Sequence, residues 1–109
     1  MTDSKQTFDD ITVDEAIARA AGGELLVDVR EQDEWDAGHA PGAQFLPLSG
    51  LADRVNELPR DTQFLVICHS GGRSAKATAL LTAQGFDAVN VLGGMTAWRA
   101  AEGPVTVGS

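Results

Sequence analysis

The chain has 109 residues, of which 43% are hydrophobic, and this size and composition predict one domain over residues 1–109 and exclude a disordered or fibrous protein. Sixteen acidic residues outnumber eight basic ones, and the formal net charge of -8 disfavours binding to nucleic acid or to an anionic membrane surface. A single cysteine cannot form an intramolecular disulfide, so nothing indicates a secreted disulfide scaffold.

The N-terminal segment MTDSKQTFDD has no basic region followed by an apolar one, and no apolar stretch in the chain reaches the length of a membrane span. We therefore expect a cytoplasmic protein that does not enter a membrane, with its one thiol kept reduced. The ends of the chain, about residues 1–7 and 103–109, are expected to be frayed.

The first half of the chain predicts short elements separated by turns. Thr12 and Glu15 have the spacing of a capping box, which predicts a helix over residues 13–20 that ends before Gly22 and Gly23. The apolar run LLVDV, residues 25–29, is typical of a buried strand. A helical turn or two is expected in residues 31–37, a short strand at 43–46, and a helix over residues 49–59.

The second half predicts longer elements in the same alternation. FLVIC, residues 64–68, is a second buried strand, and a helix over residues 74–84 follows, with Gly85 at its C-terminal end. AVNVL, residues 88–92, is a third strand, and GGMTAWRAA turns into a last short helix. This alternation predicts an α/β fold with a mostly parallel central sheet and helices on both faces. Ligands bind beyond the carboxyl ends of such strands, which is where Cys68 stands.

The segment after the second strand, CHSGGRS, indicates a reactive thiol. A cysteine, with a free pKa of about 8.5, becomes a good nucleophile when it ionises. The start of the next helix presents unpaired N–H groups and partial positive charge, and Arg73 adds a full charge. Gly71 and Gly72 let the backbone turn several N–H groups toward one anion, and Ser74 is placed to cap the helix. Together these residues favour a nucleophilic Cys68 over a buried structural cysteine.

Three motifs resemble the rhodanese-domain sulfurtransferases. CHSGGRS resembles their active-site loop. LLVDVREQDEWDAGHAPGA is similar to their N-terminal signature, in which Asp28 and Arg30 form an Asp-x-Arg pair before a Gly-His-x-Pro-Gly-Ala sequence. VLGGMTAW matches the Gly-Gly-x-x-x-Trp segment near the end of the family's domain. Because the motifs occur in the family's order over nearly the whole chain, the resemblance implies a rhodanese-like single domain without an inactive partner domain.

The resemblance also implies a reaction and a set of site residues. Cys68 would accept a sulfane sulfur from a small anionic donor such as thiosulfate, forming a persulfide and releasing sulfite. A thiophilic acceptor, either cyanide or a thiol that can belong to another protein, would then take the sulfur. The outer persulfide sulfur would be held by the backbone N–H groups of the loop formed by His69, Ser70, Gly71, Gly72 and Arg73. His69 and Ser70 would line the mouth of the site, and Arg73 would supply charge to the anionic donor.

Other polar residues are expected to support this site. Asp28, Arg30 and Ser74 would hold the active-site end of the sheet without reacting, and His39 would fix a loop by hydrogen bonds. The acidic cluster in residues 31–36 is expected to be a solvated face or to supply charges at a helix N-terminus, and Glu34 is expected to be architectural. No cofactor or metal is expected, because one cysteine and two histidines, with Cys68 and His69 adjacent, match no zinc spacing. GGRS also lacks the ending of a phosphate-binding P-loop.

Three alternatives accompany this interpretation. A persulfide carrier that delivers sulfur to one protein partner would use the same loop, so the sequence is compatible with both functions. A cysteine phosphatase or arsenate reductase is disfavoured, because those loops have five residues between cysteine and arginine and this one has four. A non-catalytic binding module is disfavoured because Cys68 is present. The oligomeric state is left open.

Overall fold

The computed structural model describes residues 8–108, and these form one five-stranded parallel sheet with helices packed on both faces, which confirms the predicted fold. The strands are β1 (Asp9–Ile11), β2 (Leu26–Asp28), β3 (Gln44–Phe45), β4 (Phe64–Ile67) and β5 (Ala88–Val91), in the order β1-β5-β4-β2-β3. The helices are α1 (Val13–Ala21), α2 (Gln32–Ala37), α3 (Leu51–Arg54), α4 (Gly72–Ala83) and α5 (Gly94–Ala100). None of these helices within residues 8–108 is long and apolar enough to cross a bilayer.

Two helix ends follow the local signals in the sequence. The Thr12 side chain accepts a hydrogen bond from the Glu15 N–H at 3.3 Å, so α1 begins as its cap predicts. At the end of α4, Gly85 has a φ of +93°, and its N–H donates to the Thr82 carbonyl. The next N–H, of Phe86, donates to the Leu81 carbonyl, which completes a Schellman motif.

The structure corrects the sequence-based expectations for three elements. Strand β1 was not expected from the sequence, because a three-residue segment with two exposed aspartates shows no strand pattern. It forms because it pairs in parallel with β5. The helix expected over residues 49–59 is instead the short α3 between two 3-10 turns, Leu48–Gly50 and Val55–Glu57. Helix α4 begins at Gly72, two residues earlier than expected, because Gly71 adopts a φ of +112° and ends the turn.

The segment after α5 is held in place, whereas the sequence predicted fraying over residues 103–109. The Trp98 Nε1–H donates to the Pro104 carbonyl at 2.8 Å, and Thr106 exchanges two backbone hydrogen bonds of 2.8 Å with His39. The Gly108 N–H donates to the Asp36 carbonyl at 3.0 Å. His39 and Asp36 are distant in sequence from this segment, so its local polarity did not reveal them. Residues 1–7 and Ser109, also expected to be frayed, lie outside the described residues.

The core has two layers, and the alternation of β4 side chains assigns the cysteine to one of them. Phe64, Val66 and Cys68 point to one face of the sheet, while Leu65 and Ile67 point to the other. The Cys68 layer includes Ala77 and Leu81 of α4, and the opposite layer includes Met95 and Trp98 of α5. The thiol therefore faces α4, the helix that follows it in the chain.

Candidate active site

The loop after β4 is seated on the first turn of α5. The Met95 N–H donates to the Cys68 carbonyl at 2.7 Å, and the Thr96 N–H donates to the His69 carbonyl at 2.9 Å. Gly94 has a φ of +56°, and a Cβ atom there would collide with the Cys68 carbonyl oxygen and lie 2.6 Å from that of His69. A glycine is thus required for α5 to approach the loop this closely.

The Cys68 sulfur lies inside a turn of backbone N–H groups. Cys68 is 1% exposed, its Sγ accepts a hydrogen bond from the Gly71 N–H at 3.0 Å, and the Ser74 Oγ lies 3.3 Å away. Burial by itself raises the pKa of the thiol. Hydrogen bonds to the sulfur from the Ser74 hydroxyl and from the N–H groups of Ser74, Gly71 and Ser70 outweigh burial and hold the pKa of Cys68 below its usual value. The arrangement favours a thiolate, which is the nucleophilic form.

Ser74 contacts the sulfur and does not cap the helix as expected. The N-cap of α4 is Gly71, and the Ser74 hydroxyl lies in the first turn, where it donates to Asn90 Oδ1 at 2.6 Å. Its other acceptor, the Gly71 carbonyl, is 3.2 Å away. Because a hydroxyl has one proton, the neutral Cys68 thiol donates to Ser74 while Ser74 donates to Asn90. The thiolate accepts a hydrogen bond from Ser74 when the hydroxyl turns from Asn90 to the sulfur.

Asn90 is a site residue that sequence reasoning missed. It is 2% exposed on β5, and its Nδ2 donates to the Asp10 Oδ1 at 2.9 Å, which directs its oxygen toward Ser74. A polar amide in the middle of the apolar run AVNVL was the signal that could have identified it, because a buried amide needs partners.

Arg73 is paired with a carboxylate, whereas the sequence predicted that it would offer its charge to an anionic donor. Its two Nη atoms donate to the two carboxylate oxygens of Glu34 on α2, each at 2.7 Å. This pairing holds the pKa of Glu34 well below its usual value, at about 2. Glu34 therefore ties α2 to the start of α4, an architectural role within the acidic cluster.

Asp28 and Arg30 form a buried ion pair at the end of β2. Arg30 Nη2 lies 2.8 Å from Asp28 Oδ2 and also donates to the Gly38 carbonyl at 2.7 Å. His39 stacks on Trp35 with ring centroids 3.5 Å apart, and its Nδ1 lies 2.9 Å from the Trp35 carbonyl. These contacts fix the chain on both sides of α2, which forms one wall of the site.

A cleft of about 220 Å³ opens beside the loop. Its walls include Arg30 and Glu34 on one side, His69 of the loop, and Met95, Thr96 and Arg99 of α5. His69 and Ser70, which were expected to line the mouth of the site, are both exposed, and His69 lines the cleft. Arg99 was not singled out from the sequence, in which it is simply the residue after the tryptophan of the last motif.

A buried thiol that accepts hydrogen bonds from loop N–H groups, at the carboxyl edge of a parallel sheet, is typical of α/β domains that use a cysteine as the nucleophile. The Rhodanese-like domain family matches residues 12–101 of this chain. The chain therefore belongs to the rhodanese-like sulfurtransferase family, which confirms the resemblance seen in its three motifs.

Similar proteins cover most of the chain. It is 37% identical over 93 residues to the thiosulfate sulfurtransferase GlpE of Pseudomonas entomophila, covering 84% of this chain and 85% of that protein. It is 42% identical over 74 residues to YrkF of Bacillus subtilis, named as a candidate sulfur carrier protein; the match covers 67% of this chain and 40% of YrkF. The crystal structure of a rhodanese-like domain protein from Staphylococcus aureus superimposes with a TM-score of 0.85 at 34% identity, covering 94% of this chain and all of that one.

Proposed function

We propose that this protein is a thiosulfate sulfurtransferase that moves a sulfane sulfur from thiosulfate, or a similar small anionic donor, through a persulfide on Cys68 to a thiophilic acceptor. The observation that supports it is the environment of the sulfur, in which N–H and O–H groups surround a buried atom whose thiolate they stabilise. The 37% identity to a thiosulfate sulfurtransferase points to the same reaction.

In the first half-reaction the Cys68 thiolate attacks the outer sulfur of thiosulfate. A bond forms between Sγ and that sulfur, the S–S bond of thiosulfate breaks, and its electron pair leaves on sulfite. No proton moves once the thiol is ionised, so neither His69 nor Ser70 has to act as a general base. Ser74 can turn its hydroxyl from Asn90 to the sulfur, which lies 3.3 Å away, and so stabilise the thiolate.

In the second half-reaction the acceptor attacks the outer sulfur of the persulfide. Backbone N–H groups of His69, Ser70, Gly71, Gly72 and Arg73 hold that sulfur, because an anionic atom at the centre of such a turn meets several donors at once. A thiolate or cyanide forms a bond to this sulfur, the S–S bond of the persulfide breaks, and Sγ leaves as the thiolate that starts the next cycle. The reaction needs a reduced cysteine and no cofactor, and we expect it to take place in the cytoplasm.

The similarity to YrkF supports a second candidate function. In this alternative the persulfide on Cys68 is delivered to one protein thiol, and the loop is a carrier and not a free-standing enzyme. The two functions differ in the acceptor half-reaction: a carrier would transfer sulfur to its protein partner far faster than to cyanide or to small thiols. A phosphatase remains disfavoured because the loop has one residue too few between Cys68 and Arg73.

The test is the intact mass of the reduced protein before and after thiosulfate. Because Cys68 is the only cysteine, a gain of one sulfur atom identifies the persulfide without peptide mapping. Addition of cyanide should remove that mass and release thiocyanate. The Cys68→Ser variant should keep the fold, since the replacement is similar in size, and should gain no mass. A folded wild-type protein that gains no sulfur from thiosulfate would contradict the proposal, and hydrolysis of an aryl phosphate would favour the phosphatase.

A further inference from the structure

We propose that Arg99, together with His69 and Thr96, forms the receptor for the oxyanion end of the donor, in the cleft beside the Cys68 loop. The proposal rests on the proposed function and deepens it by assigning the group that recognises the donor's negative charge. Arg99 takes the role that the sequence predicted for Arg73, which is to bind the negative charge of the donor.

The assignment follows from how the three guanidinium groups around the loop are used. Arg30 is 3% exposed and is bound to Asp28 and to the Gly38 carbonyl. Arg73 gives both Nη atoms to Glu34. Within residues 8–108, the guanidinium of Arg99 has no carboxylate within ion-pair distance and no hydrogen-bond partner in the protein. The charged residues that line the cleft are Arg30, Glu34 and Arg99. Arg30 and Glu34 are neutralised in ion pairs, so Arg99 makes the cleft electropositive.

The backbone of the neighbouring segment leaves room for this guanidinium. Gly38 ends α2 with a φ of +152°, and a Cβ atom there would collide with Arg99 Nη2. The absence of a side chain at Gly38 lets the guanidinium of Arg99, which is an exposed residue, lie against the backbone at the edge of the cleft.

The N–H groups of α5 fix Arg99 relative to the reactive loop. Thr96 and Arg99 are three residues apart and so share one face of α5, and both line the cleft with His69. The Thr96 N–H binds the His69 carbonyl at 2.9 Å, and its Oγ1 lies 3.5 Å from His69 Nε2. The cation is thus carried by the helix that is directly hydrogen bonded to Cys68 and His69.

The chemistry of the donor requires such a cation. The protein carries a formal net charge of -8 and repels anions at long range, so attraction must be local. Thiosulfate is a dianion, and when its S–S bond breaks the leaving sulfite takes the electron pair and keeps both negative charges. A guanidinium donates two parallel hydrogen bonds to such oxygens, which suits both the bound donor and the departing sulfite.

The first experiment measures anion recognition without sulfur chemistry. The rates at which iodoacetate, an anion, and iodoacetamide, its neutral analogue, alkylate Cys68 are compared in wild type, Arg99→Ala, Arg99→Lys and Arg54→Ala. Arg54 pairs with Glu57 outside the cleft, so its variant removes one positive charge as a matched control. We expect Arg99→Ala to lower the iodoacetate-to-iodoacetamide ratio by about tenfold, the size of one charged hydrogen bond. Arg99→Lys should retain most of the ratio, and Arg54→Ala should retain all of it.

The second experiment measures the two half-reactions. Arg99→Ala should raise the KM for thiosulfate by about tenfold or more. The rate at which a preformed Cys68 persulfide reacts with 2-mercaptoethanol, an acceptor with no oxyanion group, should stay unchanged. An unchanged iodoacetate ratio in Arg99→Ala, an equal loss in Arg54→Ala, or equal slowing of iodoacetamide would each overturn the proposal. The two proposals can fail separately. If the wild type forms no persulfide, but Arg99→Ala still lowers the iodoacetate-to-iodoacetamide ratio, the proposed function is refuted and the anion receptor is retained.

Discussion

Replacing Glu34 with glutamine tests whether the ion pair between α2 and α4 holds the wall of the site. Glu34 binds Arg73 through two contacts of 2.7 Å, and its carboxylate also accepts a hydrogen bond from the Glu31 N–H at 3.0 Å. Glutamine keeps an oxygen for the Glu31 bond and has nearly the same volume. The substitution therefore removes the charge and little else.

The expected loss follows from the pKa of Glu34, which is about 2 in the folded protein against an ordinary 4.5. A difference of this size corresponds to about 3 kcal/mol if it were fully expressed. The side chains of Arg73 and Glu34 are 36% and 27% exposed, and solvent screens such a pair, since fully exposed pairs contribute about 0.2–1 kcal/mol. We expect Glu34→Gln to lower the free energy of unfolding by about 1–2 kcal/mol at neutral pH.

The stabilisation by the Glu34–Arg73 pair should depend on pH. Because the folded pKa lies below the unfolded one, the pair stabilises the protein fully above pH 4.5, and its contribution is lost as the pH falls toward 2. Urea unfolding of wild type and Glu34→Gln at several pH values should show two curves that converge in acid. The control is Glu57→Gln, which breaks the exposed pair with Arg54 and should change the free energy of unfolding far less than Glu34→Gln does. A gap between wild type and Glu34→Gln that is constant from neutral pH to pH 2 would refute the reasoning.

Three further predictions concern the sulfur and its loop. The rate of iodoacetamide alkylation of Cys68 should rise with pH and reach its plateau at a lower pH than the rate for a free cysteine peptide, because hydrogen bonds lower the pKa of Cys68. A plateau at the peptide's pH or above would contradict this. The same pH profile should move to higher pH in Ser74→Ala, which removes a donor to the thiolate. It should move to lower pH in Asn90→Val, which frees the Ser74 hydroxyl to turn to the sulfur. Equal profiles in both variants would exclude a competition between Asn90 and the sulfur for the Ser74 proton. Gly94→Ala should destabilise the fold by about 3 kcal/mol or more in urea unfolding, because its Cβ would meet backbone atoms of Cys68 that cannot move independently; an unchanged midpoint would mean that the loop is not seated on α5 as described.

Much of the fold could be read from short-range patterns. The apolar runs at residues 25–29, 64–68 and 88–92 correspond to β2, β4 and β5, because a strand buried on both faces is apolar at most of its positions. Asp28 and Asn90 are the buried polar exceptions in these runs. Gly85 marked the end of α4 because a positive φ there is a local requirement. The position of Cys68 at the carboxyl edge of the sheet followed from the same order of elements.

The sequence by itself therefore determined the α/β alternation and the place of the thiol, since both depend on the residues immediately around them. The tertiary structure decided which side chains surround that thiol. Glu34 meets Arg73 across 39 residues, and Asn90 meets Asp10 across 80, after β1 pairs with β5. A charged or amide side chain can accept many partners, and its choice depends on which elements pack beside it. That is why Arg73 is neutralised and Arg99, one residue after a core tryptophan, is left to face the cleft.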